Sequence, residues 1–98
     1  MITIKTELNE LGHGAFKLYE DGVEKGLMTV GIKDGRMAVF HTEVSPESEG
    51  KGYAKELMNA MVTYAREHQL GVIALCPYVR RQFERHPDDY ADIWITHL

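Results

Sequence analysis

Six residues, Glu49-Gly50-Lys51-Gly52-Tyr53-Ala54, carry the strongest chemical signal in the chain. They lie between an alternating stretch ending at Val44-Ser45-Pro46 and an amphipathic stretch running to about Leu70. A glycine-bearing turn that feeds a helix leaves several backbone N–H groups unpartnered at the positive end of the helix dipole. Such a turn is a ready site for phosphate or pyrophosphate, and a phosphorylated cofactor is the expectation. The plain alternative is a tight helix start without a ligand, because glycine serves turns generally. Two familiar phosphate loops do not fit. Gly52 stands where a Walker A loop needs Ser or Thr after Gly-Lys. Lys55 stands where the dinucleotide fingerprint needs its third glycine.

His41 and Cys76 are the next candidates. An imidazole with an ordinary pKa of about 6.5 suits proton transfer at neutral pH. His41 reads equally well as a half-buried strand histidine with a satisfied hydrogen bond. Glu43 shares its face in a two-residue alternation and is the second candidate base. Cys76 precedes Pro77, which suits the first position of a helix, so the thiol falls at an N-cap where thiolate is favoured. Its plain reading is a small buried apolar residue. The five histidines (His13, His41, His68, His86 and His97) have no close ligand spacing, and a single cysteine cannot build a zinc knuckle, so no metal is expected. Arg80-Arg81 with Arg85 is either a solvated helix face or local positive charge beside a phosphorylated ligand.

These residues need elements to position them. Ile2, Ile4 and Leu8 suggest an N-terminal strand, with a loop at Gly12-His13-Gly14 and a second strand over Ala15–Tyr19. Asp21-Gly22 is a turn, Leu27–Ile32 a strand, and Asp34-Gly35 a tight hairpin. Arg36–Val44 runs back, with Met37, Val39, His41 and Glu43 on one face and Ala38, Phe40, Thr42 and Val44 on the other. Ala54, Leu57, Met58, Met61, Val62 and Ala65 then recur at helical spacing, with Gly71 as the expected C-terminal cap. Val72–Cys76 fits a strand buried on both faces, and Tyr78 to about Arg85 a second helix that His86-Pro87 stops. Trp94 follows in the tail. An α+β fold with helices packed on a mostly antiparallel sheet results.

At 98 residues the chain is expected to form one domain, spanning 1–98. Its 44% hydrophobic and 27% charged residues suit a soluble globule rather than a disordered chain. One cysteine excludes an internal disulfide. A net charge of −4 argues against nucleic acid or an anionic membrane as partner. No apolar run spans a membrane and the N-terminus lacks signal-peptide character, so a cytoplasmic location is expected.

The order of antiparallel strand, glycine turn, helix and buried strand resembles the acetyl-CoA site of the GNAT superfamily of N-acetyltransferases. That family's pattern, Gln/Arg-x-x-Gly-x-Gly/Ala, is matched by Gly52 and Ala54, with Glu49 replacing the usual Arg or Gln. The chain is similar in particular to the minimal YjdJ-type domains. The residues concerned are His41-Thr42-Glu43-Val44, the Gly-Lys-Gly-x-Ala turn, Cys76-Pro77-Tyr78-Val79 and His86-Pro87 with Tyr90-Ala91-Asp92. One residue more than expected stands in His86–Tyr90.

The resemblance implies a minimal GNAT-like fold in which two splayed strands, ending near Val44 and Cys76, hold the pantetheine arm of coenzyme A. Val44, Gly50, Lys51, Gly52, Tyr53 and Ala54 would bind the cofactor, acetyl-CoA or CoA. It implies direct acetyl transfer to an unidentified amine, small molecule or protein. His41 would be the base, Cys76 would line the thioester site, and Tyr78 would be the acid for the departing thiolate. Cys76 as a thiolate could instead carry the acetyl group covalently or form a mixed disulfide with CoA. The other function class is a non-catalytic CoA-binding sensor or accessory module. It gains weight because the chain runs directly from strand to strand where larger members use helices to shape the acceptor site. A partner subunit or a second copy would then complete that site.

Overall fold

A computed structural model describes residues 1–96; His97, one of the histidines weighed above, and Leu98 lie outside that range. Four strands come first, β1 (Ile2–Leu8), β2 (His13–Glu20), β3 (Val23–Lys33) and β4 (Arg36–Val44). A short 3-10 turn over Pro46–Ser48 leads to α1 (Tyr53–Glu67), followed by β5 (Gly71–Ala74), α2 (Pro77–Arg85) and α3 (Pro87–Tyr90). The sheet keeps chain order, β1-β2-β3-β4-β5. Its first four strands are antiparallel, whereas β5 is parallel to β4 because α1 carries the chain back across the sheet. The α+β expectation holds, with the sheet mixed.

The β2–β3 and β3–β4 hairpins use Asp-Gly pairs with positive φ, 50° and 84° at Asp21-Gly22 and 53° and 76° at Asp34-Gly35. That geometry matches the strand twist and sets the register. The expected loop at Gly12-His13-Gly14 is shorter, since β2 already begins at His13. Gly14 pairs with Leu8 inside the ladder, and only glycine fits there because a Cβ would run into the Glu7 carbonyl of β1.

The apolar stripe of α1 buries Leu57, Met58, Met61, Val62 and Ala65 against Phe16, Leu18, Met28, Val30, Met37 and Val39. Val79 and Phe83 of α2 join the same core, and Phe83 meets Tyr90 and Trp94 at ring distances of 4.8 and 5.5 Å. The molecule measures 37 × 33 × 19 Å, so its short dimension fits one sheet layer and one helix layer.

Three expectations need correction. First, β5 is not buried on both faces. Val72 is buried, Ile73 and Ala74 are partly so, and Leu75 is 55% exposed. β5 is the last strand of the sheet, and Ile73 and Leu75 line an open cleft with Arg80 and Glu84 of α2. Its free edge is met by the tail, where Val72 N–H donates to Ile93 and Ile95 N–H donates back to Val72 (2.6 and 2.9 Å). Second, Gly71 does not cap α1. His68 is the C-cap and Gln69 adopts φ 55°, with Leu70 N–H bonded to Ala65 and Gln69 N–H to Arg66, a Schellman end. Gly71 serves packing instead, since a Cβ there would strike the Ile95 side chain.

Third, the two faces of β4 exchange partway. Val30 pairs with Val39 and Thr29 with His41, leaving Phe40 as the extra residue of a β-bulge. Met37 and Val39 face the helices. Beyond the bulge, Thr42 and Val44 do so, opposite Met28 and Gly26, while His41 and Glu43 turn outward. A one-residue slip in a period of two moves every later side chain to the other face.

Gln69 occupies a conformation that costs an L-residue about 1–2 kcal/mol. Gln69→Gly is expected to raise unfolding free energy by about 1 kcal/mol in urea titration. An unchanged or lower midpoint would contradict this account of the helix end.

Candidate functional site

Pairing between β4 and β5 lasts only from Arg36↔Gly71 to Val39↔Ala74. There the Val39 carbonyl accepts from both Leu75 N–H (3.1 Å) and Cys76 N–H (2.8 Å). Pro77 then begins α2 while β4 continues through its bulge to Val44, so the two chains part. Strand alternation turns the backbone edges of Thr42 and Val44 into the opening. At its root, Thr42 Oγ1 lies 3.2 Å from Cys76 Sγ.

The opening leads to a cleft of about 430 Å³ whose lining includes Val44, Gly50, Gly52, Tyr53, Ala54 and Tyr78. Gly50 and Gly52 hold φ 87° and 79°, and the space where a Cβ would project is open at both. Backbone conformation, not crowding, therefore requires glycine there. Gly52 is the N-cap of α1, without a capping side chain. The first helical bond runs from Glu56 N–H to Gly52 (3.1 Å), and Lys51 N–H donates to Ser48 (3.2 Å). Among the described residues, the N–H groups of Gly50, Gly52, Tyr53, Ala54 and Lys55 find no acceptor. They form a donor cluster at the positive pole of a 15-residue helix, the arrangement an anion needs. Ser48, a buried polar residue, accepts from Ser45 Oγ (3.0 Å) and fastens the turn.

Lys51 is the cofactor-binding candidate that the structure places outside this cleft lining. Its ammonium lies 3.4 Å from the Glu20 carboxylate. The Tyr53 hydroxyl donates to Glu20 Oε2 at 2.6 Å, so both side chains tie the turn to the end of β2. That hydrogen bond lowers the Glu20 pKa and, aided by burial, pushes the Tyr53 phenol up to about 12.

Tyr78 lines the cleft and is partly buried. Burial is the main cause that raises its pKa, with the charges of Tyr90 and Cys76 adding to it, so the hydroxyl holds its proton at neutral pH. Cys76 is buried and does occupy the N-cap of α2. His41 is half-exposed on the opposite face of the sheet, with Nε2 3.8 Å from Glu43 Oε1. The structure thus gathers Tyr78 with the glycine turn and Cys76 with Thr42, and leaves His41 and Glu43 at the outer side of the opening. Arg80, Arg81 and Arg85 are exposed, Arg80 pairs with Glu84 (3.5 Å), and none lines the cleft, as a solvated face requires.

The sequence expectations gave Thr42 and Ser48 no part in the site and did not include the bulge. The bulge left a trace, for apolar residues fall at 37 and 39 and then at 40, 42 (as Thr) and 44, a slip in the alternation. Among the described residues, no group of three or more His, Cys, Asp or Glu is placed to hold a metal, and no helix is long and apolar enough to cross a membrane.

Replacing Glu20 by Gln should return the Tyr53 phenol from about 12 toward its ordinary 10.0, read by alkaline titration of isotope-labelled tyrosine rings. An unmoved Tyr53 would show that the hydrogen bond is not what ties the turn to β2.

Comparison with known proteins agrees with this geometry. The GCN5-related N-acetyl-transferase family matches residues 15–93. No curated protein matches the chain. A GCN5-like protein from Staphylococcus aureus, solved in solution, superposes with a TM-score of 0.71 at 28% identity, covering 98% of this chain and 90% of its own. The ribosomal-protein-alanine N-acetyltransferase from Brucella melitensis gives 0.63 at 22% identity over 76% of this chain and 61% of that one. The ribosomal-protein-S18-alanine N-acetyltransferase from Escherichia coli gives 0.61 at 12% identity over 65% of this chain. The matched part is 42% of the Escherichia coli enzyme, and at these identities the last two show the fold alone. The match of the family over most of the chain carries the assignment: this protein belongs to the GCN5-related N-acetyl-transferase family.

Proposed function

We propose that the protein is an N-acetyltransferase that takes acetyl from acetyl-CoA and passes it directly to an amine. The donor cluster at Gly50–Lys55, opening onto the gap between β4 and α2, is the observation that carries this reading. The residues fit the cofactor. Unpartnered N–H groups suit a pyrophosphate, and the open space over Gly50 and Gly52 lets phosphate oxygens approach the backbone. Glu49 on the cleft rim is the one unfavourable charge. When bound, acetyl-CoA supplies the activated thioester carbonyl.

The chain's own groups then have distinct tasks. Gly50, Gly52, Tyr53 and Ala54 hold the pyrophosphate through their backbones, and Lys51 stiffens the turn through Glu20. Thr42 and Val44 offer backbone edges to the amides of the pantetheine arm. Tyr78, held protonated by its surroundings, supplies the proton that the released sulfur gains. His41, backed by Glu43, removes the proton that the acceptor nitrogen loses, working from the outer side of the opening. Cys76 lines the site beside Thr42, and its burial favours direct transfer over a covalent acetyl-cysteine.

Release of free CoA thiol with a panel of amines tests the assignment. Tyr78→Phe and His41→Ala should each lower kcat about 100-fold, while Cys76→Ala should stay within about threefold of the parent. Complete loss in Cys76→Ala would contradict direct transfer. Absence of thiol release with every amine of the panel, in a protein that still binds acetyl-CoA, would replace this reading with the non-catalytic binding module.

A further inference from the structure

β3 has a bulge of its own, at Lys25. Leu18 pairs with Gly26 and Tyr19 with Glu24, so Lys25 has no partner on β2. Its carbonyl accepts from Ser45 N–H at 2.8 Å, one step beyond the Gly26↔Val44 pair. Its ammonium donates to Glu47 Oε1 at 3.2 Å, and the side chain is only 21% exposed. Resting on the acetyltransfer reading above, we propose that Lys25 is a positioning residue for the cofactor. Through Glu47 it holds the segment from Ser45 to Gly52 where the glycine-turn N–H groups can receive a pyrophosphate.

The route from Lys25 to the donors is short and continuous. Glu47 lies in the 3-10 turn over Pro46–Ser48. Ser48 N–H donates to Ser45 (2.9 Å), Glu49 N–H to Pro46 (3.3 Å) and Lys51 N–H to Ser48 (3.2 Å), so each step of the turn hangs on the one before. Gly50 and Gly52 add little stiffness of their own. Among the described residues, the segment 45–53 makes polar contacts with the sheet at two residues, Glu20 of β2 and Lys25 of β3. Glu20 holds the helix end of the segment and Lys25 the strand end.

Lys25 acts on the cofactor from outside its cleft. It is absent from the lining that holds Gly50, Gly52 and Tyr78. It lines instead a separate hollow of about 210 Å³ with Glu24, Leu27, Glu43 and Pro46. Exposed ion pairs contribute little by themselves. This ammonium is mostly covered and set by a bulge, a device that re-aims a side chain beside a functional site. Hydrogen bonds weaken steeply with angle, so a turn that drifts from the sheet loses its grip on a ligand before it loses its fold.

Acetyl-CoA titration and amide hydrogen exchange, both read by NMR on the labelled protein, test the inference. Lys25→Met and Glu47→Ala should each raise the Kd for acetyl-CoA about fivefold, and the double variant Lys25→Glu with Glu47→Lys should recover most of that loss. In the cofactor-free protein, both single variants should speed exchange at Ser48, Glu49 and Lys51 about fivefold, while Met61 and Val62 of α1 keep the parent rate. In turnover, KM for acetyl-CoA should rise with kcat unchanged, a split that a general loss of stability does not produce. A Kd raised by Lys25→Met alone, with Glu47→Ala at the parent value, would show direct contact between Lys25 and the cofactor and overturn the positioning role. Unchanged Kd and exchange in both single variants would overturn it as well. A parent protein that binds no acetyl-CoA, with the exchange differences present, would overturn the acetyltransfer reading and keep the tether.

Discussion

One inserted residue governs the working half of this molecule. With Phe40 bulged out of β4, the strand bends and its later side chains change face. Thr42 and Val44 come to the helix side and His41 and Glu43 to the outer side. The same bend lets β4 run away from β5, whose chain leaves at Cys76 to start α2 under the constraint of Pro77. In a regular ladder the backbone edges of Thr42 and Val44 would have faced β3, and those of His41 and Glu43 the chain after Ala74. Backbone edges that would have been spent inside the sheet are left for a ligand, and the two faces of the sheet communicate at this one place.

The glycine turn depends on that opening. Its unpartnered N–H groups belong to the start of α1, and α1 is held by a buried stripe against β2, β3 and β4. The position of the donors is therefore fixed by core packing, and the Glu20–Tyr53–Lys51 contacts trim the turn from the side. Charge repulsion from Glu49 is the opposing effect. It is exposed and screened by solvent, whereas the N–H donors are directional and several, so the donors set the sign of the interaction.

Much of this was readable from residue patterns. The Asp-Gly hairpins, the α1 stripe and Pro77 after Cys76 each rest on local rules, positive φ, 3.6-residue periodicity and the missing N–H of proline, and each element formed where those rules put it. The glycine turn belongs to the same class. What could not be read depends on partners distant in sequence. The bulge at Phe40 is defined only against β3, and Gly31 opposite is what gives the Phe40 ring room. β5 looked doubly buried because Val72–Cys76 is apolar throughout, yet its place at the sheet edge leaves Leu75 half exposed in an open cleft. Gln69 took the left-handed cap because the Schellman bonds to Ala65 and Arg66 required that residue, while Gly71 was needed to admit Ile95. His41 went to the face opposite Cys76 for the same reason that Thr42 reached it.

The central claim is that the donor cluster and the parted strands form one cofactor site. Titration of acetyl-CoA into uniformly labelled protein, followed by amide NMR, tests it most directly. The account predicts saturable shifts at Gly50, Gly52, Tyr53, Ala54 and Lys55 together with Thr42, Val44 and Cys76, while Thr3 and Lys5 at the far edge of the sheet stay in place. Unmoved amides at the glycine turn under saturating cofactor, or shifts at the turn without any at Thr42 and Val44, would contradict it.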